Sequence, residues 1–320
     1  MSERNMQLEI SKLIGEPISN QLPVPVEIAA ICDTFTAEPG EHVWRYTNID
    51  KDADYILDVD ADGKITVVKK TVMGDTELTF KHLDSRLEYV LIKDVLDNPD
   101  TSVLSRKKEA IIRGMDKSEL YILLTAIEGG TDVTNNQGVQ SVTASTGDDL
   151  YDLIMDMKHL VEDYGDGYVL LCGTTVKEKI DTYDKDNVTT FNYNITLFDR
   201  LKALGIDVMK IFGKVDRGSG EVALLNASHM ILVAKNSRLA EGKPIKFIRR
   251  KITPDLAKLM GADIDKAQRA VFVNPTPVMQ DFSGTSASLL GYACLGYESF
   301  IFAICNALAI VKCDASLAVA

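Results

Sequence analysis

The chain has 320 residues, 46% hydrophobic and 26% charged, which excludes global disorder and leaves room for two or more lobes. Its 47 acidic against 35 basic residues give a formal charge of −12, a surface that repels phosphate and argues against general nucleic-acid binding. The opening MSERNMQLEI lacks the apolar run of a signal peptide, and residues 289–311, though apolar, are broken by Tyr292, Glu298 and Asn306, so neither export nor a membrane span is expected.

Residues 1–30 read as an arm without a fold of its own. Pro23 and Pro25 keep it extended, because each proline biases the residue before it away from the helical region. From 42 to 95 the pattern is β. Segments 44–47, 55–59, 64–70, 76–81 and 87–92 are short and rich in β-branched or aromatic residues. Segments 55–59 and 65–69 flank Asp60-Ala-Asp62-Gly63, whose Asp-Gly step signals a hairpin. So long a hairpin carries too little apolar surface to make its own core, and a projecting arm with flanks packed elsewhere is expected.

After Asn98-Pro99-Asp100 a long helix is predicted over 101–127, with Ala110, Ile111, Met115, Tyr121, Ile122 and Ala126 as its apolar positions and Gly114 as its weak point. Gly129-Gly130 ends it, and a polar loop is expected over 131–146.

The clearest local unit spans 147–184. Leu150, Leu153, Ile154, Met157, Leu160 and Val161 fall on one face at helical period, with Asp149, Asp152, Asp156 and Lys158 on the other. Thr146 is the expected N-cap, and Gly165 and Gly167 stop the helix. The run 168–172 then reads as a buried strand, and Gly173-Thr174-Thr175 turns the chain into a second helix over 176–182.

Beyond it the pattern predicts a helix over 197–204 closed by Gly205, strands at 208–212, 222–225 and 230–234, and a glycine-rich turn at 213–220. A basic strand is predicted over 242–251, a short helix over 254–260 and a strand at 270–273. A polar loop follows at 280–288, then closing strands at 291–302 and 304–311. The five cysteines (Cys32, Cys172, Cys294, Cys305, Cys313) lie mostly in apolar runs and read as reduced, buried thiols.

Several motifs invite chemistry and fail on their partners. Asp58-Val-Asp60-Ala-Asp62-Gly63 matches half of a calcium loop, but the twelfth position is Lys69 where a bidentate Glu is needed, so it reads as an acidic hairpin tip. Ser283-Gly284-Thr285-Ser286 resembles a serine-nucleophile segment, yet none of His42, His82, His159 and His229 lies in a matching motif. Gly213–220 lacks the Gly-Lys-Ser/Thr ending of a phosphate loop. Gly173-Thr174-Thr175, opening a helix after a strand, is a candidate anion site, and the basic cluster at 243–251 offers a local phosphate contact as its sharper reading. Lys243, Lys246, Arg249, Arg250 and Lys251 form the clearest basic cluster, read as a charged strand face that meets an acidic partner surface. No motif supports an enzyme, a cofactor or a metal.

Taken together, DDLYDLIMDMKHLVEDYGDGYVLLCGTTVKEKI (148–180) and YACLGYESFIFAICNALAI (292–310), the latter with Glu298 and its Ala309-Ile310 ending, follow an N-terminal arm, a β-arm and a long helix. This order resembles the major capsid proteins of tailed bacteriophages, whose fold is shared with encapsulins and the herpesvirus capsid floor. The resemblance spans nearly the whole chain but lies in order and pattern. It implies an α+β fold with an N-arm (1–38), an extended β-hairpin E-loop (39–98), a peripheral domain with a spine helix (99–147), an axial domain (148–238), and the remainder of both domains with the closing strands (239–320). Family members often have Asn-Pro where this chain has Gly173-Thr174. The N-terminal segment is too short for a fused scaffolding domain.

The function so implied is self-assembly into the hexamers and pentamers of an icosahedral shell around a viral genome, in a virion built in the host cytoplasm. Implied partners are other copies of the chain, a portal protein, a separate scaffolding protein, cement or decoration proteins, and packaged double-stranded DNA through weak lumen contact, with no membrane. Asp60, Asp62, Gly63 and Lys64 at the arm tip, with Lys246, Arg249 and Arg250, are the candidate assembly contacts. An encapsulin-type compartment and a soluble α/β enzyme with a phosphate site at Gly173 are the alternatives.

Overall fold

The computed structural model describes residues 24–48, 55–59, 65–69, 74–85, 88–91, 102–129, 138–187, 196–216, 218, 220–239, 241–253, 268–282 and 285–318. In chain order the elements begin with α1 (Val26–Ile31), β1 (Cys32–Ala37), β2 (Val43–Asn48), β3 (Tyr55–Val59), β4 (Ile65–Lys69), β5 (Gly74–Thr79), β6 (Lys81–Asp84) and β7 (Glu88–Leu91). The middle of the chain holds α2 (Ser102–Glu128), β8 (Gln140–Thr143), α3 (Leu150–Glu162), β9 (Gly165–Cys172), α4 (Thr174–Asn187), α5 (Leu197–Ala203), β10 (Ile206–Lys210), β11 (Lys214–Asp216) and β12 (Glu221–Ala223). It closes with β13 (His229–Ser237), β14 (Ile245–Arg250), β15 (Arg269–Phe282), β16 (Thr285–Ile304) and β17 (Ile310–Asp314).

One sheet runs β10-β9-β13-β17-β8. Both of its faces are covered, which explains the unbroken apolar run of β9. Leu170, Cys172, Met230, Leu232 and Val311 pack under α3, α4 and α5. The alternate residues Val169, Leu171, Ile231, Val233 and Ile310 face the main core with α2. The predicted apolar stripe of α3 is the buried one, Leu150, Leu153, Ile154, Met157 and Val161, while Leu160 is exposed. The N-cap is Asp149 and not Thr146. The Asp149 carboxylate accepts the Tyr151 N–H at 2.7 Å, and the turn at Gly147, with φ of +90°, holds Thr146 outside the helix.

The second sheet follows the path β1-β14-β16-β15, with β6 and β7 on the far side of β16. β1 is parallel to β14, and the other pairings are antiparallel. The expected polar loop at 280–288 is the distal end of a long hairpin, paired from Arg269↔Glu298 out to Phe282↔Thr285. The two expected closing strands at 291–302 and 304–311 are one 20-residue strand, β16, followed by a 3-10 turn (Ala307–Ala309) and β17.

The arm begins where β2 pairs with β5 and continues as β3 paired with β4. Its root is anchored by Leu78 and Phe80, buried with Ala37, Ile248, Ile301 and Ala303. The expected helix at 254–260 lies outside the described residues. Gly114 sits inside α2 without breaking it, and the helix ends at Glu128 ahead of Gly129, as expected.

Candidate assembly site

The long helix α2 lies across one face of the second sheet and fixes the geometry of everything around it. Its buried ridge is Ile111, Met115, Glu119, Leu123 and Ile127, spaced four apart so that they stack along one side. Opposite, Gly296, Glu298, Phe300, Phe302 and Ile304 share a face of β16, because strand side chains alternate. Three zones of contact follow. At one end the helix comes so close to Gly296 that a Cβ there would lie 2.6 Å from Ile111 Cγ2 and 2.7 Å from Met115 Sδ. At the other, Phe247 and Phe302 stack with centroids 4.5 Å apart, and Phe300 meets both edge-on.

Between these apolar zones lies a buried charge cluster. Glu119 and Glu298 are fully buried, and Arg249 and Arg269 are nearly so. Arg249 grips Glu119 with two bonds, Nε to Oε1 at 2.9 Å and Nη2 to Oε2 at 2.7 Å. Arg269 donates from Nε to Glu298 Oε2 and from Nη1 to Asp116 Oδ1. Its Nη2 stands 2.7 Å from Glu119 Oε2 without hydrogen-bond alignment, a contact of charge alone. Burial and the facing Glu119 push the Glu298 carboxyl up, to about 8. The surrounding acids hold the Arg269 guanidinium protonated more firmly still, against the opposing effect of burial.

Lys246, Arg249 and Arg250 lie on β14, the basic strand of the sequence reading, and they differ from it. The strand is internal, between β1 and β16, and all three side chains are buried. Lys246 Nζ donates to Asp33 Oδ2 at 2.6 Å. Arg250 donates to the Glu41 carbonyl at 3.2 Å and packs its guanidinium over the Phe80 ring. The acidic surface that this strand meets therefore belongs, in these contacts, to its own chain. Burial alone would raise Asp33, but the Lys246 ammonium and the Lys243 N–H outweigh it and hold the carboxyl below its usual range. Asp60, Asp62, Gly63 and Lys64 lie outside the described residues. The structure adds Asp33, Asp116, Glu119, Arg269 and Glu298 as the partners of the basic strand and its neighbours. The signal for Glu119 was an acid in the middle of an apolar four-residue ridge.

The turn at Gly173 is closed to an anion. The Ala227 carbonyl accepts the N–H groups of Thr175 and Val176, and the His229 carbonyl accepts that of Gly173. Those are the donors that a phosphate would need. Burial pushes the Cys172 thiol up to about 12 and those of Cys305 and Cys313 to about 11, which suppresses thiolate chemistry. Among the described residues no group of three or more His, Cys, Asp or Glu side chains could hold a metal ion. No described helix is long and apolar enough to cross a membrane. A groove of about 870 Å³ opens between β6, α2 and the β11–β12 hairpin, with Ile111, Met115 and Ile122 among its apolar lining and Lys81, Lys117 and Glu221 among its charges. Exposed apolar side chains include Val26, Phe35 and Phe212, the last 70% accessible.

No family model matches the sequence, and no curated protein matches it. The fold is similar to several solved structures. The capsid of Myoviridae phage XM1 aligns over 98% of both chains at 10% identity with a TM-score of 0.55. The capsid of a native GTA particle aligns over 93% of this chain and 92% of that one at 12% identity, TM-score 0.53. A chain of Microbacterium phage Oxtober96 covers the same shares at 11% identity, also with a TM-score of 0.53. Identities this low speak to architecture, and the long helix crossing a sheet, the five-stranded helix-covered sheet and the β-arm together have the fold of the tailed-phage major capsid protein.

Proposed function

We propose that this chain is a shell-forming structural protein, whose copies assemble through heterologous contacts into the hexamers and pentamers of an icosahedral virion head around packaged DNA. The observation that carries the reading is an end-to-end match to the phage XM1 capsid, 98% of each chain. A β-arm drawn out as two successive two-stranded ladders supports it, because an isolated hairpin is marginal in water and gains stability by lying on a neighbour. The charge of −12 suits an inner wall that must not hold packaged DNA tightly. In this reading the chain divides into the five segments of the resemblance, from the N-arm at 1–38 to the closing strands at 239–320, and the two arms bury surface on neighbours. A portal, a separate scaffolding protein and decoration proteins complete the head, which is assembled in the host cytoplasm. The arm-tip residues Asp60, Asp62, Gly63 and Lys64 are the contacts proposed to help set register.

The test is particle size. The purified chain, alone and with the products of neighbouring genes, should give closed shells, tubes or capsomers by negative-stain microscopy and light scattering. Deleting residues 50–75 should abolish them. A monodisperse monomer or dimer under every condition would overturn the reading, and normal particles from the deletion would remove the arm from it.

A further inference from the structure

The charge cluster under α2 joins two elements far apart in sequence, the long helix and the root of the β15–β16 hairpin. Its composition is unbalanced. Two guanidinium groups, Arg249 and Arg269, face three carboxyls, Asp116, Glu119 and Glu298. Glu119 has a bond from Arg249 to each of its oxygens and the charge of Arg269 beside it, and Asp116 is partly in contact with solvent, its side chain 31% accessible. Glu298 is the odd one: fully buried, held through one oxygen only, with Oε1 lacking any hydrogen-bond partner among the described residues. A carboxylate in that position would leave half of its charge dry and unpaired, whereas a neutral acid leaves only one weak acceptor.

The groups that face Glu298 can be taken element by element. From α2 come Asp116 and Glu119, from β14 Arg249, and from β15 Arg269, its cross-strand neighbour. From β6 the residue opposite is Leu83, with the titratable Lys81, His82 and Asp84 of that strand all exposed. No additional cation among these stands ready to take up a second buried negative charge.

We propose that this cluster is a pH-sensitive catch between α2 and the root of the β15–β16 hairpin, with Glu298 as its titrating group: the neutral acid holds helix and hairpin together, and loss of its proton sets a third charge against two arginines and loosens the joint. The sign follows from linkage. The folded chain holds the Glu298 proton more tightly than the unfolded chain does. The stability this contributes is whole at and below the unfolded value of 4.5 and is lost as pH rises towards about 8. The catch therefore opens with alkali and closes with acid. It belongs to the subunit, and holds whether or not the chain forms a shell.

The experiment is hydrogen–deuterium exchange on the full chain at pH 6 and pH 9, corrected for the intrinsic rate, comparing wild type with Glu298→Gln. Peptides covering 108–122 and 292–304 should open about a hundredfold more readily at pH 9 than at pH 6 in wild type, one decade for each pH unit between 6 and the folded value of about 8. Peptides from the β9–β13 region should not change, and Glu298→Gln should abolish the difference. Difference infrared spectra of the wild-type chain provide a reading that needs no variant: a buried protonated-carboxyl band should be present at pH 6 and vanish between pH 7 and 9. Pronounced alkaline opening that persists in Glu298→Gln, or a wild-type chain with no such band at pH 6, would overturn the proposal.

Discussion

Two glycines in this chain should respond to alanine with opposite signs. At Gly173, between β9 and α4, an added Cβ would lie 2.1 Å from the Asn226 carbonyl oxygen, 2.5 Å from that of Ala227 and 2.6 Å from the Ala227 carbonyl carbon. All three are backbone atoms, so no side-chain rotation relieves the clash. The 226–228 turn must move, and with it go the bonds from the Thr175 and Val176 N–H groups to the Ala227 carbonyl. Overpacking of this kind costs about 1–3 kcal/mol, and each lost bond adds about 1 kcal/mol. Gly173→Ala should therefore destabilise the subunit by about 3–5 kcal/mol, a large share of a typical total. Gly114, exposed in mid-helix with nothing within 4 Å of its would-be Cβ, should gain about 0.5–1 kcal/mol as alanine. Urea unfolding followed by circular dichroism measures both, with Gly114→Ala as the control for handling. A Gly173→Ala chain within about 0.5 kcal/mol of wild type would refute the packing argument at this turn.

Other outcomes follow from the packing under α2. Phe302→Ala removes the ring stacked on Phe247 and should cost about 3–5 kcal/mol by thermal unfolding, whereas Phe212→Ser, at an exposed position, should stay within about 0.5 kcal/mol. Glu119→Leu strands two buried guanidinium groups and should cost about 3–5 kcal/mol. Adding Arg249→Met should restore part of that loss, a coupling read from a double-mutant cycle. Asp33, whose carboxyl is held below its usual range, contributes stability that is present above its unfolded value of 3.8 and is lost as pH falls through the folded one. An Asp33→Asn chain should accordingly show a shallower acid limb in stability against pH, and an unchanged limb would count against the Lys246 contact.

Where the sequence spoke clearly, the physics was local. The α3–β9–α4 unit was readable because its apolar positions repeat at the helical period and then run unbroken, and both patterns come from burial against near neighbours. The strand at 245–250 was readable as a strand, but its charges were read outward. Lys246 is paired with a carboxylate 213 residues away and Arg249 with one 130 residues away, distances over which no window of periodicity reports. The candidate anion site at Gly173 failed for the same reason, because the carbonyl that occupies its N–H groups arrives from Ala227, beyond two further helices. The hairpin at 269–304 was broken in the reading by its small polar residues. The pairing of β15 with β16 runs on through those residues to Phe282↔Thr285 and leaves no compositional mark.

The order of strands in the five-stranded sheet bears on how the chain is made. β17 lies inside that sheet, between β13 and β8, although the ribosome produces it after all four of its companions. β8, which pairs only with β17 in this sheet, must wait through about 170 residues of synthesis for its partner, and β1 waits comparably long for β14. Contacts of such separation are slow to form and leave apolar strands uncovered in the meantime. The topology thus lengthens the time for which a half-made chain shows sticky, unpaired edges, and it predicts a need for a chaperone that shields such intermediates.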